Sequence, residues 1–214
     1  MAYEICLFDL DGTIVDSQQG IVNSILHTVA TFGLEMPSME RLKKFIGPPI
    51  RVSFEKVFNM SPKDANSAVS KYREYYAEKG VFENILYPGI EDTLKILKER
   101  GKTIALATLK PTVFAVKILE EFGISQYFTY ALGSELNGDR NTKGEVISDV
   151  LDALGDISKE KTVMIGDREY DILGAREMGL SSIGVTYGFG SRRELEYAGA
   201  DMIVDSVPEL LDLV

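Results

Sequence analysis

The chain lacks the residues from which several common kinds of site are built. Its 214 residues include one cysteine, Cys6, which excludes a disulfide framework and a cysteine-based metal centre. The only histidine, His27, lies on a helical pattern, which favours a surface or groove position over a role as general base. No stretch approaches about 18 uninterrupted apolar residues, and the N-terminus has no basic segment followed by a long apolar one. We therefore expect neither a membrane span nor export, and we predict a cytoplasmic protein.

Positive charge is also scarce. There are 23 lysine and arginine residues against 33 aspartate and glutamate residues, which gives a formal net charge of −10. Binding to nucleic acid or to an anionic membrane requires a basic face, so the composition disfavours both as the main partner. A local basic pocket is compatible with this total.

Short apolar runs rich in isoleucine, leucine and valine recur along the chain and predict buried strands. They are ICLF (5–8), TIALAT (103–108), TVMIG (162–166) and SIGVT (182–186). Amphipathic helical patterns lie between these runs and close at Gly101, Gly123 and Gly155. Strands that alternate with helices of this length predict an α/β fold with a parallel sheet covered on both faces.

One segment, from about Val15 to Ile85, interrupts this alternation. It contains no convincing strand run, and its apolar residues recur at helical spacing, which predicts a small helical bundle inserted after the first strand. The sequence YPG at 87–89 marks the return to the sheet, because proline and glycine favour a turn. We therefore predict a core formed by residues 1–14 and 86–214, and an inserted helical domain over residues 15–85.

Polar residues follow several of the apolar runs. Because ligands bind at the carboxyl ends of the strands in an open parallel sheet, these residues are candidates for a site. They are Asp9, Asp11, Thr108, Lys110, Asp167 and Asp171, together with Lys143 at the start of a helix. Taken one at a time, each also fits a structural role, since Asp-Gly is a common turn dipeptide and an aspartate at a helix start is often a cap.

Taken together, the candidates point to phosphate chemistry. Clustered carboxylates repel one another unless a cation neutralises them, and hard oxygen ligands suit Mg²⁺. A cation and a lysine would offset the charge of an incoming phosphate, and a carboxylate is a competent nucleophile toward phosphorus. A second acid two residues further on could protonate the leaving alkoxide and then take a proton from the attacking water.

The order of these motifs resembles that of the haloacid-dehalogenase superfamily of phosphohydrolases. DLDGT (9–13), ATLK (107–110), Lys143 and GDREYD (166–171) are similar to its four motifs, in sequence order and across the whole chain. The resemblance implies a Rossmann-like, doubly wound core with a helical cap inserted between the first two motifs. It also implies a phosphatase rather than a dehalogenase, because dehalogenating members lack the second acid, Asp11.

The resemblance also implies a role for each candidate residue. Asp9 would be the nucleophile and Asp11 the general acid and base. Thr108 would hydrogen-bond the transferring phosphoryl group, and Lys143 would stabilise the charge on that group and on Asp9. The implied ligands of Mg²⁺ are the carboxylate of Asp9, the main-chain carbonyl of Asp11 and Asp167, with Asp171 close to the metal.

The inserted segment carries FIGPPIR (45–51), which is similar to a cap loop of the phosphoglycolate phosphatase and 5′-nucleotidase-like branch. Gly47 and the Pro48–Pro49 pair would form a stiff loop that projects Arg51 toward an anionic substrate. A helix–helix turn with a solvated arginine is the alternative. A cap of this size favours small phosphate esters over macromolecular substrates, and we expect a monomer or a homodimer.

The leading hypothesis is a Mg²⁺-dependent phosphomonoesterase that hydrolyses a small phosphorylated metabolite, of the phosphoglycolate or nucleotide type, through an aspartyl phosphate. A sugar phosphomutase would use the same residues but return the phosphoryl group to a second hydroxyl. A signalling receiver also combines acids, a threonine and a lysine on a doubly wound sheet. That module is shorter, however, and it has no large insertion after its first strand.

Overall fold

The computed structural model of the protein describes residues 3–214. The chain divides into two compact units: the first joins the N-terminal segment up to Asp16 with Leu86–Val214, and the second is Ser17–Ile85. The second unit is thus an insertion in the sequence of the first.

The helices and strands follow one another along both units. In chain order they are β1 (Ile5–Phe8), β2 (Val15–Asp16), α1 (Gln18–Thr31), α2 (Met39–Lys43), α3 (Ile50–Phe58), α4 (Pro62–Glu78), β3 (Ile85–Leu86), α5 (Ile90–Glu99), β4 (Thr103–Pro111), α6 (Thr112–Glu121), β5 (Tyr130–Ser134), α7 (Lys143–Leu154), β6 (Thr162–Gly166), α8 (Glu169–Met178), β7 (Ser181–Val185), α9 (Arg192–Ala198), β8 (Met202–Val204) and α10 (Leu210–Leu213). None of the helices over residues 3–214 is long and apolar enough to cross a membrane.

The first unit is built on a six-stranded sheet in the order β5-β4-β1-β6-β7-β8. Its strand pairs are all parallel, and every residue of the central strand β1 is buried. A parallel sheet is covered by helices on both faces, which explains why β1 is a continuous apolar run rather than an alternating one. The predicted α/β class with a doubly wound parallel sheet is confirmed.

Two strands of this sheet were not predicted. β5 and β8 are the two edge strands, and their residues are less buried than those of β1 or β6. An edge strand has one neighbour and one open side, so it does not need the continuous apolar run that marks a central strand.

The sheet order places a topological switch point at β1. The chain pairs β1 with β4 on one side and with β6 on the other, so that Leu106 and Ile165 both lie beside Phe8. The carboxyl ends of these three strands therefore meet at one edge of the sheet, where ligands of open α/β folds bind.

Helix α7 packs on one face of this sheet next to the switch point. Its buried side chains Val146, Ile147 and Val150 belong to one apolar cluster with Leu7 of β1 and Met164 of β6. Burial of such side chains stabilises the fold by about 1.5–3 kcal/mol each and holds the start of α7 at a fixed place beside the strand ends.

The second unit is helical, and its core contains aromatic pairs among aliphatic side chains. Phe54 lies edge-on to Phe45, with ring centroids 5.1 Å apart, and Tyr72 stacks on Tyr76 at 5.5 Å. Such pairs contribute about 0.5–1.5 kcal/mol beyond the area that they bury. Tyr72 and Tyr76 both lie on the buried face of α4 and contribute to the packing of the helices.

The stiff loop predicted at residues 45–51 is shorter than expected. Helix α3 begins at Ile50 with Pro49 as its N-cap, and Arg51 lies in the first turn of this helix. Proline fits a helix start because the first turn does not use its missing N–H, so the Pro48–Pro49 pair introduces a helix instead of extending a loop.

Candidate active site

The turn after β1 carries the first two acids. Asp9 follows β1 directly, and its N–H donates to the carbonyl of Ile165 at 2.9 Å, so Asp9 continues the pairing of β1 with β6. Gly12 adopts a φ of 86°, and a Cβ at this position would collide with the carboxylate of Asp167. Glycine is therefore required both for the turn and for the close approach of the next acid.

Asp167 and Asp171 reach the same edge from β6 and α8. Asp167 comes directly after Gly166, the last residue of β6, and Asp171 lies in the first turn of α8. The Oδ2 atom of Asp171 accepts a hydrogen bond from the N–H of Arg168 at 3.0 Å. Asp171 thus caps helix α8, which is the common structural role of an aspartate at a helix start, and its carboxylate also faces the other acids.

Three of the predicted acids form one buried cluster. Carboxylate oxygens of Asp9, Asp167 and Asp171 all lie within 4.8 Å of one another. Carboxylates at this separation repel strongly in a site shielded from water. The cluster is therefore stable only if neighbouring groups supply positive charge or if one acid holds a proton.

Lys143 supplies part of that positive charge. Its Nζ lies 2.9 Å from Asp9 Oδ1 and 2.7 Å from Asp171 Oδ1, and it donates to the carbonyl of Ala107 at 2.9 Å. The position of this lysine follows from the sequence around it, because a capping box between Thr142 and Glu145 starts helix α7 at Lys143.

Burial and neighbouring charges both shift the pKa values of the cluster. Burial lowers the pKa of Lys143, but the carboxylates of Asp171 and Asp9 outweigh it, and the net pKa is raised. Burial raises the pKa of Asp171 to about 6, against the opposing effect of Lys143. Burial and the charges of Asp171 and Asp9 raise the pKa of Asp167 well above its usual range. One lysine therefore does not balance three acids.

This imbalance fits the binding of a divalent cation. The donors are hard carboxylate oxygens, they are buried, and the charges of Asp171 and Asp9 add to the effect of burial in raising the pKa of Asp167. Hard oxygen donors of this kind suit Mg²⁺ or another small divalent ion better than a soft metal. The residues present thus fit the metal that the sequence predicts.

A loop after β7, which was not among the predicted site residues, holds Asp167. The N–H groups of Phe189 and Gly190 donate to its Oδ2 at 2.7 Å and 3.4 Å. The hydroxyl of Tyr187, in the same loop, donates to the carbonyl of Thr13 at 3.1 Å. Glycines at 188 and 190 in the sequence YGFGS are the only advance signal of this close approach.

Thr108 and Lys110 lie at the carboxyl end of β4. Because Leu106 pairs with Phe8, Thr108 falls just beyond the position of Asp9 on the neighbouring strand. The Thr108 hydroxyl accepts a hydrogen bond from the N–H of Lys110 at 3.2 Å. The Lys110 side chain forms an ion pair with Asp11. Its position at the end of a strand was the only feature of the sequence that pointed to such a contact.

Arg51 lies in the second unit, where its guanidinium pairs with Glu55 one helical turn further on, at 2.5 Å. Half of its side chain is exposed. This geometry is that of the solvated arginine at the start of a helix, and a contact between Arg51 and substrate stays a prediction.

A family model described as haloacid dehalogenase-like hydrolase matches residues 6–185. The chain belongs to this family. The resemblance drawn from the four motifs is confirmed, and the matched range includes Asp9, Asp11, Lys143 and both acids of the fourth motif.

Relatives within the haloacid dehalogenase-like hydrolases cover nearly the full chain. A 5′-nucleotidase from Pseudomonas aeruginosa is 42% identical over 195 residues, which are 91% of this chain and 88% of the relative. A phosphoglycolate phosphatase from Vibrio parahaemolyticus is 28% identical and covers 99% of this chain and 96% of its own. The crystal structure of a predicted phosphatase from Clostridium acetobutylicum matches with a TM-score of 0.94 and 45% identity, over 99% of this chain and 98% of that one.

Proposed function

We propose that the chain is a Mg²⁺-dependent phosphomonoesterase that hydrolyses a small phosphorylated metabolite through an aspartyl phosphate on Asp9. The observation that carries the proposal is the pairing of Asp9 with a buried lysine inside a cluster of acids, with Lys143 Nζ 2.9 Å from Asp9 Oδ1. A carboxylate that attacks a phosphate must approach another anion, and a fixed positive charge beside it lowers that electrostatic barrier.

The first step transfers the phosphoryl group to the protein. A carboxylate oxygen of Asp9 forms a bond to phosphorus while the bond from phosphorus to the ester oxygen breaks. Asp11 gives its proton to the departing oxygen, so the product leaves as a neutral alcohol. Thr108 and Lys143 bind the phosphoryl oxygens during this transfer.

The second step releases phosphate. Asp11, now a carboxylate, takes a proton from a water molecule as that water attacks phosphorus. The bond from phosphorus to Asp9 breaks, inorganic phosphate leaves, and both carboxyl groups return to their starting states. Asp11 gives one proton to the alcohol and takes another from water, so the two steps together consume one water and leave the protein unchanged.

The proposed ligands of Mg²⁺ are the carboxylates of Asp9 and Asp167 and the main-chain carbonyl of Asp11, with Asp171 close by. When bound, the ion supplies positive charge that offsets the charge of the phosphoryl oxygens. The same charge relieves the repulsion among the buried acids described above.

The substrate class is proposed from the relatives and the cap. Two of the relatives are named 5′-nucleotidase and phosphoglycolate phosphatase, and both names describe enzymes of small phosphate esters. We infer that this chain also acts on a small phosphorylated metabolite of one of these types. A cytoplasmic location is proposed as well, and Arg51 is the proposed contact of the cap with an anionic substrate.

The test compares Asp9→Asn with wild type on p-nitrophenyl phosphate in the presence of Mg²⁺. We expect Asp9→Asn to lower kcat by about 10³-fold or more, because a neutral amide cannot replace the nucleophile. Asp152→Asn is the matched control, since Asp152 is exposed on α7, and its activity should equal that of wild type. Appreciable Mg²⁺-dependent turnover by Asp9→Asn would overturn the assignment of the nucleophile.

Product analysis separates the hydrolase from the phosphomutase. A hydrolase releases one inorganic phosphate for each alcohol that it forms. Transfer of the phosphoryl group to a second hydroxyl, without free phosphate, would identify a mutase instead.

A further inference from the structure

We propose that Lys110 is a positioning residue that holds the carboxylate of Asp11 in place for proton transfer. Lys110 Nζ donates to both oxygens of Asp11, at 2.7 Å to Oδ1 and 2.9 Å to Oδ2. Both side chains are shielded from solvent, with 5% of Lys110 and 15% of Asp11 exposed. The inference rests on the proposed function, because it concerns the support of the proposed acid and base.

The backbone around Lys110 has an irregular geometry that aims this side chain. Thr108 of β4 pairs with Gly133 of β5, but the next pair is Pro111 with Ser134, so Leu109 and Lys110 form a bulge. Bulges redirect side chains and are common next to active sites. A Cβ at Gly133 would overlap the carbonyl oxygen of Lys110, so glycine on β5 makes room for the bulge.

The two buried lysines of the site serve different acids. Lys143 pairs with Asp9 and Asp171, whereas Lys110 pairs with Asp11. Without Lys110, the Asp11 carboxylate would lie two residues from Asp9 with less positive charge to hold it there, and we expect it to turn toward water. The positions of the nucleophile and of the acid are thus fixed by separate cations.

This pairing is compatible with proton transfer by Asp11. An ammonium group has three N–H donors, so Lys110 can keep a bond to one oxygen of Asp11 while the other oxygen engages the leaving group. A general acid must lie within about 2.6–3.2 Å of the oxygen that it protonates, and loss of this alignment slows the reaction even when the acid is present.

The dependence on the leaving group distinguishes positioning from a structural role. A nitrophenolate leaves without a proton because it is a weak base, whereas an alkoxide requires one. The ratio kcat/KM includes steps only through release of the alcohol, so the later attack of water does not affect it. A loss of Asp11 alignment should therefore lower kcat/KM for alkyl phosphates far more than for p-nitrophenyl phosphate.

The experiment measures kcat/KM of Lys110→Met and Lys110→Arg on p-nitrophenyl phosphate and on phosphoglycolate and uridine 5′-monophosphate. On whichever of the two alkyl substrates wild type hydrolyses better, we expect Lys110→Met to lower kcat/KM by about 10–100-fold. This loss is part of the rate enhancement of about 10²–10⁴-fold that a general acid contributes. Its loss on p-nitrophenyl phosphate should stay under about threefold by the same argument. Lys110→Arg should recover most of the activity, because its guanidinium keeps the charge and paired N–H donors.

The matched control is Lys102→Met. Lys102 is a half-buried lysine just before the other end of β4, where its Nζ donates to the carbonyl of Tyr3 at 2.5 Å. It should leave both values of kcat/KM at the level of wild type. Circular dichroism checks that each variant folds, and Lys110→Gln replaces Lys110→Met if the latter does not.

Each outcome separates this inference from the proposed function. An equal loss on aryl and alkyl substrates, or no loss on either, overturns the positioning role of Lys110. If Asp11→Asn changes the aryl-to-alkyl ratio and Lys110→Met does not, only the inference about Lys110 fails. If Asp11→Asn leaves the ratio unchanged, or wild type hydrolyses none of the three esters, the proposed function fails and the inference fails with it.

Discussion

At the scale of single residues, the site is a problem of charge balance. Asp9, Asp167 and Asp171 are buried together, and Lys143 compensates only part of their charge. Burial of uncompensated charge costs free energy, which is recovered when a proton or a cation arrives. The stability of the metal-free protein should therefore depend on pH in a direction that the pKa values fix.

We predict that the metal-free protein loses stability as pH rises through about 6. The folded-state pKa of Asp171, about 6, lies above its ordinary value of 3.8. Its contribution to stability is thus fully present below pH 3.8 and is lost as pH rises through about 6. The shift corresponds to about 3 kcal/mol in the free energy of unfolding.

Urea unfolding between pH 4 and 7 in the presence of EDTA measures this effect. Asp171→Asn should flatten the profile relative to wild type, because the amide does not titrate. Addition of Mg²⁺ should restore stability at pH 7 in wild type. A wild-type profile that rises over this range by more than that of Asp171→Asn would contradict the prediction.

At the scale of elements, two short segments give the acids their geometry. The capping box between Thr142 and Glu145 starts α7 and thereby fixes the position of Lys143. The loop after β7 donates two backbone N–H groups to Oδ2 of Asp167, and the hydroxyl of Thr13 donates to Oδ1 at 3.5 Å, so the main chain supplies most of the hydrogen bonds that orient this acid. Backbone donors orient a carboxylate without adding a charge that would compete with a metal.

We predict that Gly190→Ala disrupts the orientation of Asp167. A Cβ at Gly190 would overlap the main-chain oxygen of Asp167, so the loop must move away and its N–H donors move with it. We expect a loss of about 2–4 kcal/mol in the free energy of unfolding, as for other steric strain in a packed site. The stabilisation of the protein by Mg²⁺, measured by thermal unfolding, should fall as well.

Phe189→Ala is the matched control for this loop. It removes the aromatic side chain but keeps the N–H that donates to Asp167 at 2.7 Å. The thermal shift caused by Mg²⁺ should therefore persist in Phe189→Ala. Equal Mg²⁺ shifts in Gly190→Ala and wild type would show that the loop does not orient the acid.

At the scale of the whole molecule, the clustered acids and Arg51, the proposed specificity residue, lie in different units. The acids of the cluster and both buried lysines belong to the first unit, whereas Arg51 belongs to the second. If the inserted unit selects the substrate, changes within it should alter KM more than kcat.

We predict that Arg51→Ala raises KM for phosphoglycolate by about 3–10-fold with little change in kcat, because it removes an exposed charge that attracts an anion. Glu55→Ala is the control, since it breaks the pair with Arg51 but keeps the guanidinium. Steady-state kinetics of the two variants should therefore diverge. An unchanged KM in Arg51→Ala would contradict a contact with substrate and would show that Arg51 is only a solvated residue of helix α3.

The sequence alone was sufficient for the parts of the protein that depend on local pattern. Central strands such as β1 and β6 are apolar on both faces, and a motif such as DLDGT keeps its residues together wherever the chain folds. The edge strands β5 and β8 were not predicted because they are only partly buried and lack a continuous apolar run. Helix α3 was not predicted because Pro48 and Pro49 suggested a loop.

The sequence by itself determined the α/β class, the inserted helical segment, the family and the inventory of acids at the strand ends. Only the tertiary structure decided how the charges pair. Lys110 and Asp11 are 99 residues apart, and their contact depends on a bulge in β4 and on the parallel pairing of β4 with β1. Such pairing is set by strand register and side-chain direction across the whole sheet, and no local spacing encodes it.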